Sequence, residues 1–201
     1  MQNKTSVLNT ALMRVGAPVG NIDFQGTQAM QIADSAYQRC LDYCLSLYPW
    51  PFALRYKVLA RTTSTPAFGW KYSYPLPGDC VRVLDVRGHD EEGQLPSIAW
   101  KYPGPKYEIA DRNIYTDAES CALRYVSNDQ QLRMDELFAD ALAWRIAFEI
   151  SQYLPQGAAN AQNYLQMFEQ SLDRAKGESD AQEEPVRMQW DSKFLKERWV
   201  Y

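Results

Sequence analysis

The ionisable side chains that could do chemistry are few, and the most polar group of them lies in one short stretch. The single histidine, His89, is followed directly by Asp90, Glu91 and Glu92 in "RGHDEEG". A catalytic histidine needs a nucleophile and an orienting carboxylate, and two carboxylates on either side of a sugar bond can hydrolyse a glycoside. So polar a stretch is typical of a loop tip, however, so we interpret His89 as an exposed loop residue and the acidic run as solvated.

Glu149 is a second acidic candidate, because it lies in the apolar helical stretch "AWRIAFEIS". A carboxyl group in apolar surroundings can serve as a general acid. Arg145 precedes it by four residues, which is the spacing of an ion pair along one face of a helix. We therefore expect Glu149 to pair with Arg145.

The cysteines Cys40, Cys44, Cys80 and Cys121 form no C-x-x-C pair, and with one histidine they make a poor metal-binding set. Free cysteines are commonly buried as small hydrophobic residues, and we expect that here. The sequence contains no glycine-rich nucleotide motif and no G-x-S-x-G. We expect no catalytic residue, no cofactor and no metal, so we interpret the protein as not being an enzyme. Because its cysteines are expected to be free, we expect the chain to fold in a reducing cytoplasm.

Charge and hydropathy argue against a nucleic-acid-binding, membrane or secreted protein. The formal net charge of -4 gives no overall basic footprint for nucleic acid. Arg55, Lys57 and Arg61 alternate along a predicted strand, so they share a face that either meets phosphate or is the solvated side of a sheet. No apolar run reaches the roughly 18 residues of a membrane span, and the N-terminal "MQNKTSVLNT" does not resemble a signal peptide.

Periodicity predicts helices at both ends of the chain. A first helix capped by Thr5 or Ser6 ends at Gly16, and a second runs from about Gln28 to Tyr48. A third begins near Asp129, with Leu137, Ala141, Trp144 and Phe148 on its buried stripe. The fourth covers about 158–176, with Gly177 as the residue after its end.

The segment between the helices alternates with period two and predicts strands. "PLPGD" is a turn, "KYEIADRNIYTD" a hairpin that bends at "DRN", and "CALRYVS" a last strand. The fold class is therefore α+β: a helical bundle from the N- and C-terminal helices, an inserted β-rich domain and an extended tail. The predicted boundaries are 1–51, 52–127, 128–177 and 178–201.

Five stretches occur in an order that resembles the tail tubular protein A family of short-tailed bacteriophages. They are "LNTALMRVGAPVG", "YPWPFALRYKVLA", "WKYSYPLPGDCVRVLDV", "YEIADRNIYTD" and "LRYVSNDQQLRMDELFADALAWRIAFEIS". The resemblance implies the adaptor of the head-to-tail connector in the virion: a ring, usually of twelve copies, between the portal protein and the tail nozzle protein. Phage DNA would pass through its lumen without sequence-specific binding, and the family has no active site to transfer.

The C-terminal "RMQWDSKFLKERWVY" follows a polar, acidic stretch at 177–185. Large aromatic side chains are enriched as anchors in protein interfaces. We expect Trp190, Phe194, Trp199 and Tyr201 to bind the portal or a neighbouring subunit. The alternative, that they pack on the chain's own helices, stays open.

Two other functions remain open from the sequence. One is a virion-associated cell-wall or polysaccharide hydrolase that uses Glu149 or Asp90. The other is a standalone cytoplasmic binding module with a small β domain.

Overall fold

Over the residues that it describes, the computed structural model shows a mixed α+β protein with four helices and two small antiparallel sheets. This confirms the predicted mixture of helices at both ends with strands between them. The structure describes residues 3–17, 28–64, 66, 69–88, 104–129, 133–153 and 160–182.

The first helix, α1 (Lys4–Arg14), begins two residues earlier than a cap at Thr5 would allow and three earlier than a cap at Ser6. The side chain of Asn3 accepts a hydrogen bond from the Ser6 backbone N–H at 2.8 Å, so Asn3 is the N-cap. The prediction of Thr5 or Ser6 was wrong, because both lie inside the first turn. Gly16 ends the helix as predicted, with a φ of 71° that suits glycine.

The second helix, α2 (Gln28–Leu47), confirms the predicted helix to within one residue. Its broad apolar stripe is buried, as expected for a helix that packs on a core. Its buried residues are Ala29, Ala33, Ala36, Tyr37, Cys40, Leu41, Cys44 and Leu45. A short 3-10 turn at Pro51–Ala53 then leads into the first strand.

The third helix, α3 (Glu136–Ser151), begins later than predicted, and its buried face only partly coincides with the predicted stripe. Leu137 is 40% exposed, whereas Phe138, Leu142 and Ile146 are almost fully buried. The predicted stripe is confirmed only in part: Ala141 is buried and Trp144 packs against the core, whereas Leu137 is exposed. Because α3 is apolar over most of its circumference, periodicity alone does not select the buried side. The helix contacts α1, α2 and the fourth helix, α4 (Ala161–Gln182), which explains its near-complete burial.

The helix α4 continues through Gly177, so the predicted end at Lys176 was wrong. Glycine inside a helix costs about 1 kcal/mol relative to alanine. Tertiary contacts offset this cost: Ala175 and Ser179, on either side of the glycine, are both buried, and the Tyr48 hydroxyl donates to the Asp180 carboxylate.

Asp140 on α3 connects three helices. Its backbone carbonyl and its carboxylate both accept hydrogen bonds from Arg14 of α1, and the carboxylate also accepts one from the Ser171 hydroxyl of α4 at 3.0 Å. The Arg14 guanidinium lies 3.9 Å from the centre of the Trp144 ring. Polar and apolar contacts thus fix α3 against both neighbours.

In the described part of the chain, six strands form two three-stranded antiparallel sheets. They are β1 (Leu54–Leu59), β2 (Tyr72–Pro75), β3 (Cys80–Arg87), β4 (Tyr107–Ala110), β5 (Asn113–Thr116) and β6 (Cys121–Ser127). The strand orders are β1-β6-β3 and β2-β5-β4. The predicted hairpin is confirmed as β4–β5: Asp111 and Arg112 at its bend have φ values of 46° and 56°, as a type I′ turn requires.

Two hydrophobic cores share strand β6. Val126 belongs to the core among the helices, whereas Leu123 and Tyr125 belong to a smaller core between the sheets. The smaller core is completed by residues from β1, β2, β3 and β5, and by Cys121. Because one strand contributes to both cores, the position of the sheets is tied to the helices.

An aromatic cluster joins the end of α2 to β1 and α3. Trp50 is 1% exposed, and its indole N–H donates to the Cys44 carbonyl at 2.9 Å. The rings of Trp50 and Phe52 each pack edge-on against Phe138 with centroids 4.9 Å apart. Edge-to-face packing of this kind adds to the stabilisation from burial. We call Trp50, Phe52 and Phe138 the aromatic joint.

Truncating the aromatic joint is expected to destabilise the whole fold. Phe138→Ala should lower the free energy of unfolding by about 3–5 kcal/mol, because it opens a cavity among buried rings. Tyr153→Ala is the matched control, since Tyr153 is 61% exposed. Urea denaturation followed by circular dichroism measures both. Equal midpoints for the two variants would contradict this role of the joint.

Candidate functional site

The acidic candidate Glu149 lies in an ion-pair network between α2 and α3. One carboxylate oxygen is 2.8 Å from the Arg145 guanidinium, which confirms the predicted pair. The other oxygen is 2.9 Å from Arg39 of α2. The sequence could not indicate Arg39, which is 110 residues away in the chain. With both oxygens paired to guanidinium groups, Glu149 is arranged to hold two helices together.

Arg145 is nearly as buried as its partner and lies between two aromatic rings. Its guanidinium carbon is 5.0 Å from the centre of the Tyr43 ring and 5.1 Å from that of Phe148. Its Nε is buried, and no described residue accepts a hydrogen bond from it. The cation therefore depends on the Glu149 carboxylate for compensation of its charge.

The four cysteines are free and buried, which confirms their interpretation as small hydrophobic residues. Burial raises the pKa of Cys40 to about 11 and that of Cys44 to about 12. Burial likewise raises the pKa of Cys121 to about 11. Thiols held in the protonated form are poor nucleophiles and poor metal ligands. Within the described part of the chain, no group of three or more His, Cys, Asp or Glu residues is placed to hold a metal ion.

The three basic residues expected on one face are only partly brought together. Arg55 and Lys57 share a face of β1, but that face also carries the buried Leu59 and pairs with Leu123 and Tyr125 of β6. It is therefore not simply the solvated side of a sheet. Arg55 donates to the carbonyls of Phe52 and Leu54, and Arg61 lies beyond the end of the strand over the Tyr72 ring.

Exposed apolar side chains lie on two strands that form sheet edges. Tyr56 and Val58 of β1 are 72% and 59% exposed, and Tyr107 and Ile109 of β4 are 40% and 45% exposed. Each strand pairs with one neighbour among the described residues, β1 with β6 and β4 with β5. The alternation in the sequence predicted the strands but not their position at an edge, which depends on the order of the strands in the sheet.

A cleft of about 200 Å³ lies between the start of α3 and the C-terminal part of α4. Its apolar side is formed by the aromatic joint and Ala175, and its polar side is acidic. The lining residues are Trp50, Asp135, Glu136, Leu137, Phe138, Ala175, Glu178 and Ser179. The sequence did not indicate this cleft, because residues from three separate segments form it.

Two groups of predicted residues lie outside the described residues. They are the polar stretch with His89, Asp90, Glu91 and Glu92, and the C-terminal anchors Trp190, Phe194, Trp199 and Tyr201. Of the helices in the described ranges, none has the length and apolar character that crossing a membrane requires. Compared with models of known protein families the chain matches none, and no curated protein matches it.

The ion-pair network predicts unequal effects for its members. Glu149→Gln should lower the free energy of unfolding by about 1.5–3 kcal/mol, because it leaves the buried Arg145 without its counter-charge. Arg39→Ala should cost less than about 1 kcal/mol, because Arg39 is 68% exposed in its ion pair. Chemical denaturation at neutral pH compares the two. A larger loss of unfolding free energy in Arg39→Ala than in Glu149→Gln would show that the stability of the network does not depend on the burial of Arg145.

The buried thiols predict a loss of stability at alkaline pH. An unfolded thiol ionises near its usual pKa of 9.0, whereas the pKa of Cys44 in the folded chain is about 12. The stabilisation is therefore complete below pH 9 and is lost as the pH rises from about 9 towards 12. We expect the urea midpoint to fall over this range, and to fall less steeply in Cys44→Ala. A midpoint that stays constant up to pH 11 would contradict the burial of these thiols.

Proposed function

We propose that this chain is a structural virion protein, the adaptor ring of a bacteriophage head-to-tail connector. The ring, usually of twelve copies, joins the portal protein to the tail nozzle protein and lines the channel for DNA. In this proposal the N- and C-terminal helices form a bundle, the strands form a domain inserted into it, and a C-terminal tail follows α4. The protein is made in the bacterial host cytoplasm and functions in the virion.

The observation that carries the proposal is the way in which the resembling stretches contact one another. "YPWPFALRYKVLA" supplies Trp50, Phe52 and β1, and "LRYVSNDQQLRMDELFADALAWRIAFEIS" supplies most of β6 and all of α3. The first stretch packs on Phe138 through the aromatic joint, and Leu54 pairs with Val126 in the β1–β6 ladder. Segments distant in sequence thus form one structural unit, which favours a shared fold over chance similarity of separate pieces.

The role depends on surface fit, and the contacts of the described residues suit it. A ring requires each subunit to present two different surfaces that fit each other. Exposed aromatic and β-branched side chains on β1 and β4 provide such surfaces. Between the helices, Asp140 and Glu149 make interhelical polar contacts that would keep the subunit rigid under load.

DNA must slide through the ring without being held. Tight binding of DNA needs clustered lysine and arginine side chains that displace counterions from phosphates. The formal net charge of the chain is -4, and Arg55, Arg61 and Arg124 are engaged with backbone carbonyls or aromatic rings. These properties favour a channel protein that tolerates passing DNA over one that grips it.

The tail supplies the proposed contact with the portal or a neighbouring subunit through Trp190, Phe194, Trp199 and Tyr201. Burying one large aromatic side chain contributes about 1.5–3 kcal/mol, whereas ordering each residue's backbone costs about 1–2 kcal/mol. Four anchors cannot offset the ordering of fifteen residues without additional hydrogen bonds. We therefore propose that the tail binds through both its aromatic side chains and its backbone.

The purified full-length chain is expected to form closed rings. Native mass spectrometry should give one dominant oligomer, and negative-stain images should show rings with a central channel. In particles of the virus that encodes the chain, an antibody against it should label the neck between capsid and tail. The proposed function would be overturned if the purified chain stayed monomeric and the antibody did not label the neck of the particles.

Deleting residues 186–201 should abolish attachment to portal-bearing capsids while leaving the fold intact. Co-sedimentation with capsids measures attachment, and circular dichroism monitors the fold. A full-length variant with serine in place of the four aromatic anchors is the matched control, because it keeps the length of the tail. Full attachment of the truncated protein would refute docking by the tail.

A further inference from the structure

Among the residues that the structure describes, the outer sides of β1 and β4 are sheet edges without a neighbouring strand, and both carry apolar side chains. Within the described ranges, β1 hydrogen-bonds to β6 and β4 to β5, so the backbone groups on the other side of each strand are outside any ladder. An edge with exposed apolar residues is a template for pairing with another strand. We call these the β1 edge (Leu54–Leu59) and the β4 edge (Tyr107–Ala110).

The two edges have the same pattern of side chains. On the β1 edge, Tyr56 and Val58 point to one side and Lys57, between them, to the other. On the β4 edge, Tyr107 and Ile109 point to one side and Glu108 to the other. The Trp70 indole N–H donates to the Glu108 carboxylate at 3.0 Å, and this hydrogen bond holds the carboxylate in position beside β4.

The two edges carry opposite charge, and this selects how they can pair. Within the strands themselves, the β1 edge has Arg55 and Lys57 and the β4 edge has Glu108; beside β4, the charges of Lys106, Asp111 and Arg112 largely cancel, so the contrast rests on Glu108. Two β1 edges together would bring cations near one another, and two β4 edges would bring carboxylates together. Like charges across strands are destabilising and opposite charges stabilising. The β1 edge therefore fits the β4 edge of a second copy better than it fits itself.

We propose that successive copies of the chain join by pairing the β1 edge of one copy with the β4 edge of the next. Lys57 lies opposite Glu108, and Tyr56 and Val58 lie against Tyr107 and Ile109. A slip of one residue would place Lys57 opposite an apolar side chain, so the charge pair fixes the register. The three-stranded sheets of two neighbours become one continuous sheet.

This contact joins unlike surfaces, so it repeats from copy to copy and closes into a ring when the rotation between neighbours permits. A symmetric pairing would stop at a dimer. The inference rests on the proposed function, since it names the contact between subunits in the adaptor ring. It also gives Lys57, the exposed basic residue of β1, a binding partner: a carboxylate of another copy, where the sequence had left phosphate as an alternative.

Charge exchange tests the contact. Lys57→Glu and Glu108→Lys each place like charges across the interface and should each reduce the oligomer to monomers in sedimentation velocity. The double variant should assemble again, because the pair is restored with its signs exchanged. Mixing the two single variants should also restore assembly, since in an alternating ring every contact pairs opposite charges. Arg174→Glu, at an exposed position of α4, makes the same charge change as Lys57→Glu and should assemble normally.

A covalent test does not depend on the strength of the assembly. In the double variant Lys57→Cys and Glu108→Cys, mild oxidation should give a ladder of disulfide-linked multimers. Each single variant should give no ladder, and the four native cysteines are buried and should not interfere.

The outcomes separate this inference from the proposed function. Rings that persist in both charge variants, or a double variant that stays monomeric, would overturn the pairing of the edges and leave the adaptor ring in place. If the double cysteine variant formed rings but gave no disulfide ladder, the pairing of the edges would likewise be overturned and the adaptor ring would stand. A wild-type chain that forms no oligomer, together with a double cysteine variant that gives no ladder, would overturn both.

Discussion

The burial of α3 by the other three helices is the constraint on which the structure depends. This helix is apolar almost all round, so it is stable only where α1, α2 and α4 cover it. Its few polar side chains are used to position those neighbours: Asp140 binds Arg14 and Ser171, and Glu149 binds Arg39. The strands are placed in turn by the aromatic joint, in which Phe138 of α3 receives the two rings that precede β1.

Local patterns in the sequence predicted several elements where neighbouring residues set the geometry, although the N-cap of α1 is Asn3 and not Thr5 or Ser6. The β4–β5 hairpin followed from "DRN" at its bend, and the end of α1 from Gly16, because these depend on neighbouring backbone angles. Predictions that depended on distant contacts failed. Gly177 lies inside α4 because Ala175 and Ser179 pack on either side of it, and the buried face of α3 was chosen by neighbours that a period of 3.6 cannot identify.

The same distinction applies to the candidate sites. Arg145 and Glu149 are one turn apart, so their ion pair was predictable, whereas Arg39 joins it only through the packing of α2 on α3. The alternation in "LRYKVL" and "YEIA" was visible, but an edge exists only once the strand order is known. The position of the exposed Tyr56 and Ile109 at sheet edges therefore follows from topology and not from composition.

Strand β6 has a mechanical consequence. Its central position in one sheet, with Val126 among the helices and Leu123 among the strands, means that neither core can open without disrupting the other. Force applied to the sheets would load β6 along its length, where the ladders to β1 and β3 share the shear over many hydrogen bonds at once.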